Sequence, residues 1–366
     1  MNGDKNVNFV LDDLIRDNPY SLSKEKKRIL YTSALCELTK HHYNNCAKYR
    51  RILDTMGYEP EQEMAPEDIP MIPVRLFKDQ ELMSVSRDQI VKTMTSSGTS
   101  GQRVSKIFLD RKNTSAQTKV LSNIISSYIG KKRLPLIILD SRQVLKDRSM
   151  FSARGAGIVG FSTFGHDIFY ALDSEMNLDT EGLKSYAEKY QDMPILMFGY
   201  TYMIWQYIVQ ALKAAGTAIS IHNGVLFHIG GWKKLKDQAV DAMTYNCHIQ
   251  NALGNVKVYN YYGMAEQLGS VFVECEYGHM HCSDFSDVII RDPLNFSPVQ
   301  MGTKGLIELQ SLLPTSYPGH ALLTEDEGEI LGEDDCPCGR LGKYFKIHGR
   351  IKGAEIRGCS DTYERN

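Results

Sequence analysis

Leu134-Pro135-Leu136-Ile137-Ile138-Leu139 is a continuous apolar run with no polar alternation. A strand that reads this way is covered on both faces, as in parallel sheets packed between helices. Two more runs of the same kind follow, Pro194-Ile195-Leu196-Met197-Phe198-Gly199 and Gly224-Val225-Leu226-Phe227-His228-Ile229. A fourth, Val256-Lys257-Val258-Tyr259, leads into Asn260-Tyr261-Tyr262-Gly263. Helical patterns over 111–128, near 201–215 and over 233–246 lie between or beside these strands. The alternation predicts an α/β fold with a largely parallel sheet flanked by helices. Ligands of such sheets sit outside the carboxyl ends of the strands. Two strands end in loops suited to that place, Gly230-Gly231-Trp232 and Tyr262-Gly263-Met264-Ala265-Glu266.

Upstream, Met94-Thr95-Ser96-Ser97-Gly98-Thr99-Ser100-Gly101-Gln102 follows the strand-like Asp88-Gln89-Ile90-Val91-Lys92-Thr93-Met94. Glycines let backbone N–H groups converge on an anion, and hydroxyls add donors. A flexible Ser/Gly linker has the same composition, so residue types alone fit cradle and linker equally. The Gly-Lys-Ser/Thr ending of a Walker A is absent. The N-terminal stretch steps through Leu35, Leu38, His42, Cys46, Tyr49 and Leu53, which predicts one helical face. His41, His42 and Cys46 are metal-ligand types, but histidines on an apolar stripe read as packed core. Residues 66–73, rich in proline, form an extended connection. From about residue 270 shorter Gly-punctuated strands predict a smaller β-rich lobe. The expected divisions are a helical segment over 1–80, an α/β nucleotide-binding core over 81–268, the β-rich lobe over 269–350 and a short tail over 351–366.

The chain has 366 residues, 42% hydrophobic and 23% charged, with a formal net charge of −2. No basic excess points to nucleic acid. The N-terminus reads as neither a signal peptide nor an anchor, and no apolar run reaches the length of a membrane span. Eight cysteines without a disulfide framework predict reduced thiols in the cytoplasm.

Taken together in chain order, the motifs resemble the adenylate-forming superfamily of acyl-CoA synthetases, near its phenylacetate-CoA ligase branch. They are Thr95 to Gly101, Gly230-Gly231, Asn260 to Glu266, Thr324-Glu325-Asp326 and Gly349-Arg350-Ile351-Lys352. Within that branch the chain is most similar to the acyl-protein synthetase family of the luminescence fatty-acid reductase. That resemblance also rests on Leu38-Thr39-Lys40-His41-His42, on Pro73-Val74-Arg75-Leu76-Phe77-Lys78 and on the tail from Gly349 to Cys359. It implies ATP and Mg2+ as cofactors and a carboxylic acid, by family a fatty acid, as substrate. Thr95, Ser96, Ser97, Gly98, Thr99, Ser100 and Gly101 would hold the β- and γ-phosphates. Gly230 and Gly231 would lie against adenine; Asn260, Tyr261, Tyr262 and Gly263 would line the nucleotide, with Tyr262 covering the base. Glu266 would reach Mg2+, Asp326 the ribose, and Arg350 the ribose or α-phosphate. The acid itself would sit near Phe198, Gly199, Tyr200, Met203 and the 228–232 strand end.

Two departures alter the expectation. Ala265 stands where the superfamily usually has Thr, and only fourteen residues, 353 to 366, follow the Lys352 hinge. A truncated C-terminal domain is not expected to bind coenzyme A, so something else must receive the acyl group. The resemblance places that role on Cys359, which Lys352 and Arg357 would help to ionise. A reductase of the acyl-CoA reductase type would then collect the acyl group, with an acyltransferase supplying the acid. The alternatives are transfer to an external carrier thiol or amine, and an inactive nucleotide-binding scaffold. Finally, Cys275, His279, His281 and Cys282 precede Cys336-Pro337-Cys338-Gly339, a ligand set suited to tetrahedral zinc. Similarity to the phenylacetate-CoA ligases selects Cys275, His281, Cys336 and Cys338 as a structural site.

Overall fold

The computed structural model describes residues 11–96, 103–145 and 153–351. These form two compact units, one of residues 11–96, 103–127 and 263–351, the other of Tyr128–Tyr262. The first unit opens with helices Lys24–Asn45 and Ala47–Thr55, where the apolar stepping predicts one. Cys46 interrupts them in extended conformation, φ −122° and ψ 97°. Asparagine side chains compete for backbone groups and so favour helix ends. Here Asn45 Nδ2 donates to the His41 carbonyl at 2.8 Å. Arg50 donates to the carbonyls of Tyr43 and Asn44 at 2.9 and 2.8 Å, satisfying acceptors the broken helix leaves open. Tyr31, Ala34, Leu35 and Leu38 pack on Met64, Ile69, Leu312 and Ala321. Strand β1 (Ile72–Pro73) follows, then β2 (Ile90–Thr95) and β3 (Lys106–Asp110), an antiparallel pair closing at Thr95 opposite Lys106.

The second unit carries β4 (Leu134–Ser141), β5 (Gly165–Leu172), β6 (Ile195–Tyr200), β7 (Ile221–Ile229) and β8 (Gly254–Tyr262). All pair in parallel, in the order β5-β4-β6-β7-β8. Every residue of β4 and β6 is buried, as their unbroken apolar sequence requires. Burying each such Leu, Ile or Phe side chain stabilises the fold by about 1.5–3 kcal/mol. Phe161, on helix Ala153–Ser162, stacks on Phe198 of β6 with centroids 4.1 Å apart. The helical stretch after β6 contains a π-helical turn, Ile204–Val209. Beyond β7 a 3-10 turn, Lys233–Gln238, precedes helix Ala242–Leu253, whose N-cap Asp241 accepts from Thr244 N at 2.7 Å. The chain runs from β4 to β5 on one side and returns to β6 on the other. The carboxyl ends of β4 and β6 are therefore the topological switch point.

Back in the first unit, β9 (Phe272–Glu274), β10 (Met280–His281), β11 (Ser286–Arg291), β12 (Gly305–Ser311), β13 (Ala321–Glu333) and β14 (Lys343–Arg350) complete the strands. They pair antiparallel in the order β11-β12-β13-β14-β10-β9, and β1 adds to β13 in parallel. Among the described residues no helix is long and apolar enough to cross a membrane.

Candidate active site

In the first unit, Glu266 lies in the short turn Ala265–Gln267 and is 6% exposed. Burial pushes its carboxyl pKa up, while the neighbouring Ser105 hydroxyl and the charge of Arg350 favour the ionised form. Asp326 on β13 stands in register with Arg350 on β14, Nε to Oδ1 3.7 Å. Thr324 fixes that strand segment: its hydroxyl donates to the Ile307 carbonyl at 2.7 Å and accepts from Asp326 N at 3.1 Å. Ser96 N donates to the Ser105 carbonyl at 3.1 Å, and Ser105 N donates to Ser96 Oγ at 2.9 Å. The unit thus gathers a buried carboxylate, a paired Asp–Arg and the stem of the hydroxyl loop. An oxygen-only donor at Glu266 fits a hard cation such as Mg2+.

In the second unit the parallel register aligns Gly199, His228 and Asn260 across β6, β7 and β8, with Tyr200, Ile229 and Tyr261 one step on. Gly230 has φ +87°, a conformation that favours glycine, and its carbonyl accepts from Thr201 Oγ1 at 2.6 Å. With its proton so committed, Thr201 Oγ1 accepts from His228 Nδ1 at 2.9 Å. Burial lowers the His228 pKa to about 3, so the ring is a neutral strut beneath the glycine pair. A Cβ at Gly231 would meet open space. Tyr261 turns into the core beside Phe161 and Phe198, at 5.7 and 6.4 Å, rather than presenting an open ring. Tyr262 is half-buried. At the switch point Arg154 Nε donates to Asp140 Oδ2 at 2.7 Å, and a second guanidinium nitrogen reaches Oδ1, both side chains being 1% exposed. A Cβ on nearby Gly157 would lie 2.6 Å from Tyr200 Oη, so the backbone approaches Tyr200 closely there.

The cysteine cluster lies in the first unit. Cys275, His281, Cys336 and Cys338 bring one ligand atom each within 4.8 Å of one another. Tetrahedral zinc, with Zn–S about 2.3 Å and Zn–N about 2.0 Å, sets S–S near about 3.8 Å and S–N near about 3.5 Å. The Cys275 and Cys336 sulfurs are 3.9 Å apart, and Cys338 Sγ lies 3.3 Å from His281 Nε2. His279 Nδ1 also approaches Cys336 Sγ, at 3.3 Å, while its ring stacks on Tyr344. The β9–β10 turn orients one sulfur, since Tyr277 N points at Cys275 Sγ, 3.4 Å away. As a free thiol Cys336 is pushed up to about 12 by burial, and a cation is what ionises such a group. The donor set fits zinc.

Ser97, Gly98, Thr99, Ser100, Gly101, Lys352 and Cys359 lie outside the described residues. Sequence reasoning missed Ser105, Thr201 and the Asp140–Arg154 pair, and it placed His228 at the site only as part of the 228–232 strand end. For the pair a signal existed, because Asp140 directly follows the apolar run 134–139. His41 and His42 are packed groups: His42 is fully buried between Ser84 Oγ and the Pro314 carbonyl, and His41 Nε2 donates to the Thr315 carbonyl.

This architecture is that of the adenylate-forming ligases. It is similar to an open conformation of 2-hydroxyisobutyryl-CoA ligase in complex with 2-HIB-AMP and CoA, with TM-score 0.69 and 17% identity over 92% of this chain and 77% of that one. The family described as acyl-protein synthetase, LuxE, matches residues 3–366, and the chain belongs to it. Relatives include the long-chain-fatty-acid–luciferin-component ligases of Vibrio harveyi and Aliivibrio fischeri, each 23% identical and covering 96% of this chain and 92% of the relative. A phenylacetate-coenzyme A ligase of Thermus thermophilus is 33% identical over 88 residues, 22% of this chain and 20% of that protein.

Proposed function

We propose that this protein is a ligase that activates a fatty acid with Mg-ATP and then carries the acyl group on Cys359. In the first step the carboxylate attacks the α-phosphorus, the bond to the bridging oxygen breaks, and pyrophosphate leaves with acyl-AMP formed. Arg350 meets charge developing on the α-phosphate, and Asp326 accepts from the ribose hydroxyls while holding Arg350 in register. Glu266 would hold Mg2+, which when bound neutralises phosphate charge. Gly230 and Gly231 take the adenine against backbone, and the acyl chain enters at the switch point beside Phe198, Gly199 and Tyr200. In the second step the Cys359 thiolate attacks the acyl carbonyl carbon, the carbon–oxygen bond to AMP breaks, and a thioester forms. Lys352 is the pivot of that tail, and a reductase partner removes the acyl group.

The observation that carries this reading is the family match from residue 3 to 366, which includes the tail cysteine. The gathering of Glu266, Asp326 and Arg350 in one unit supports the nucleotide half. The test is incubation with ATP and a labelled long-chain acid, followed by intact-mass measurement. Wild type gains one acyl group; Cys359→Ser gains none yet still exchanges pyrophosphate in an acid-dependent way. Equal labelling of the Ser variant would assign the acyl group elsewhere, and absence of exchange with any acid would leave a nucleotide-binding scaffold.

A further inference from the structure

The backbone of Ser105 is spent on the loop stem, where it exchanges hydrogen bonds with Ser96 and continues the ladder beyond Thr95 and Lys106. Its side chain is not. Ser105 is 0% exposed, and its hydroxyl makes no full hydrogen bond. The hydroxyl approaches the Glu266 carboxylate closely enough to favour its charged form without reaching hydrogen-bond geometry. Tyr317, also 0% exposed, feels the charge of Glu266 and is met by the Leu268 backbone. Ala265, next in the turn, offers no hydroxyl of its own. Buried hydroxyls left unmade cost stability, and such a cost persists where a ligand completes the set. A ligand suited to this place accepts from the Ser105 hydroxyl and brings a cation to the Glu266 carboxylate. A metal-bound phosphate does both.

We propose that Ser105 is a phosphate-binding residue of the nucleotide site, its Oγ–H donating to a phosphoryl oxygen of the Mg-triphosphate held at Glu266. The proposal rests on the adenylation reading and adds a residue to it. The test is isothermal titration of Mg-ATP and of adenosine into full-length wild type and Ser105→Ala, with thermal unfolding of both without ligand. Removing an unsatisfied buried hydroxyl leaves the unliganded melting temperature unchanged or higher, weakens Mg-ATP about ten- to a hundredfold and leaves adenosine unaffected. If Ser105→Ala binds Mg-ATP as wild type does, or melts earlier without ligand, the hydroxyl is structural and the proposal is wrong. If wild type itself binds no Mg-ATP, the adenylation reading fails first and takes this one with it.

Discussion

Acidification from about pH 8 to about pH 5 should weaken the first unit through two stacked histidines. His42 and His320 lie with ring centroids 5.0 Å apart, and neither is more than 1% exposed. Thr39 Oγ1 donates to the Leu35 carbonyl, so it accepts from His320 Nε2–H, leaving Nδ1 a bare lone pair with no partner. His42 accepts from Ser84 at Nδ1 and donates to the Pro314 carbonyl at Nε2. Each ring is thus neutral, and a further proton on His320 Nδ1 would meet no acceptor. Burial lowers His320 from 6.5 to about 3 and holds His42 well below its ordinary value. The unfolded chain therefore binds more protons than the folded one below about pH 6.5, and stability falls as pH falls through that window. At about pH 5 an unfolded histidine gains about 2 kcal/mol from protonation, so His320 alone removes about 2 kcal/mol and His42 adds in the same direction. Urea unfolding of wild type and His320→Gln at both pH values measures this; the variant should lose about 2 kcal/mol less on acidification. An identical pH dependence in the variant, or histidine resonances that titrate near 6.5 in the folded protein, would refute the reasoning.

Purified protein should contain zinc in near-stoichiometric amount by mass spectrometry, and Cys336→Ser should lose the metal and melt earlier. Zinc-free wild type at full stability would remove the site. Asp140→Ala should cost about 3–5 kcal/mol in denaturant unfolding, because it strips the buried Arg154 guanidinium of its bidentate partner. The double variant Asp140→Leu with Arg154→Met should recover most of that loss, and a single variant as stable as wild type would show the pair to be dispensable.

The parallel strands were legible because their cause is local: β4, β6 and β7 are covered by helices, and each writes that into an unbroken apolar run. β5 escaped notice as an edge strand among the described residues, half-buried and carrying His166 and Asp167. β13 and β14 were not picked out singly within the β-rich lobe because polar residues, including the paired Asp326 and Arg350, interrupt their apolar pattern. The N-terminal stripe looked like one helix because spacing survives a single extended residue at Cys46.

From sequence alone come the α/β class, the family motifs and the residue types able to grip phosphate, carry an acyl group or bind zinc, since each is a property of a short segment. Tertiary structure alone selects among them. It brings Cys275 and His281 against Cys336 and Cys338, sets Arg350 opposite Asp326, and turns Tyr261 inward. It also buries Ser105 with a hydroxyl unspent beside Glu266. Those outcomes depend on which strands pair and which side chains lose water, and neither is written in any one stretch of chain.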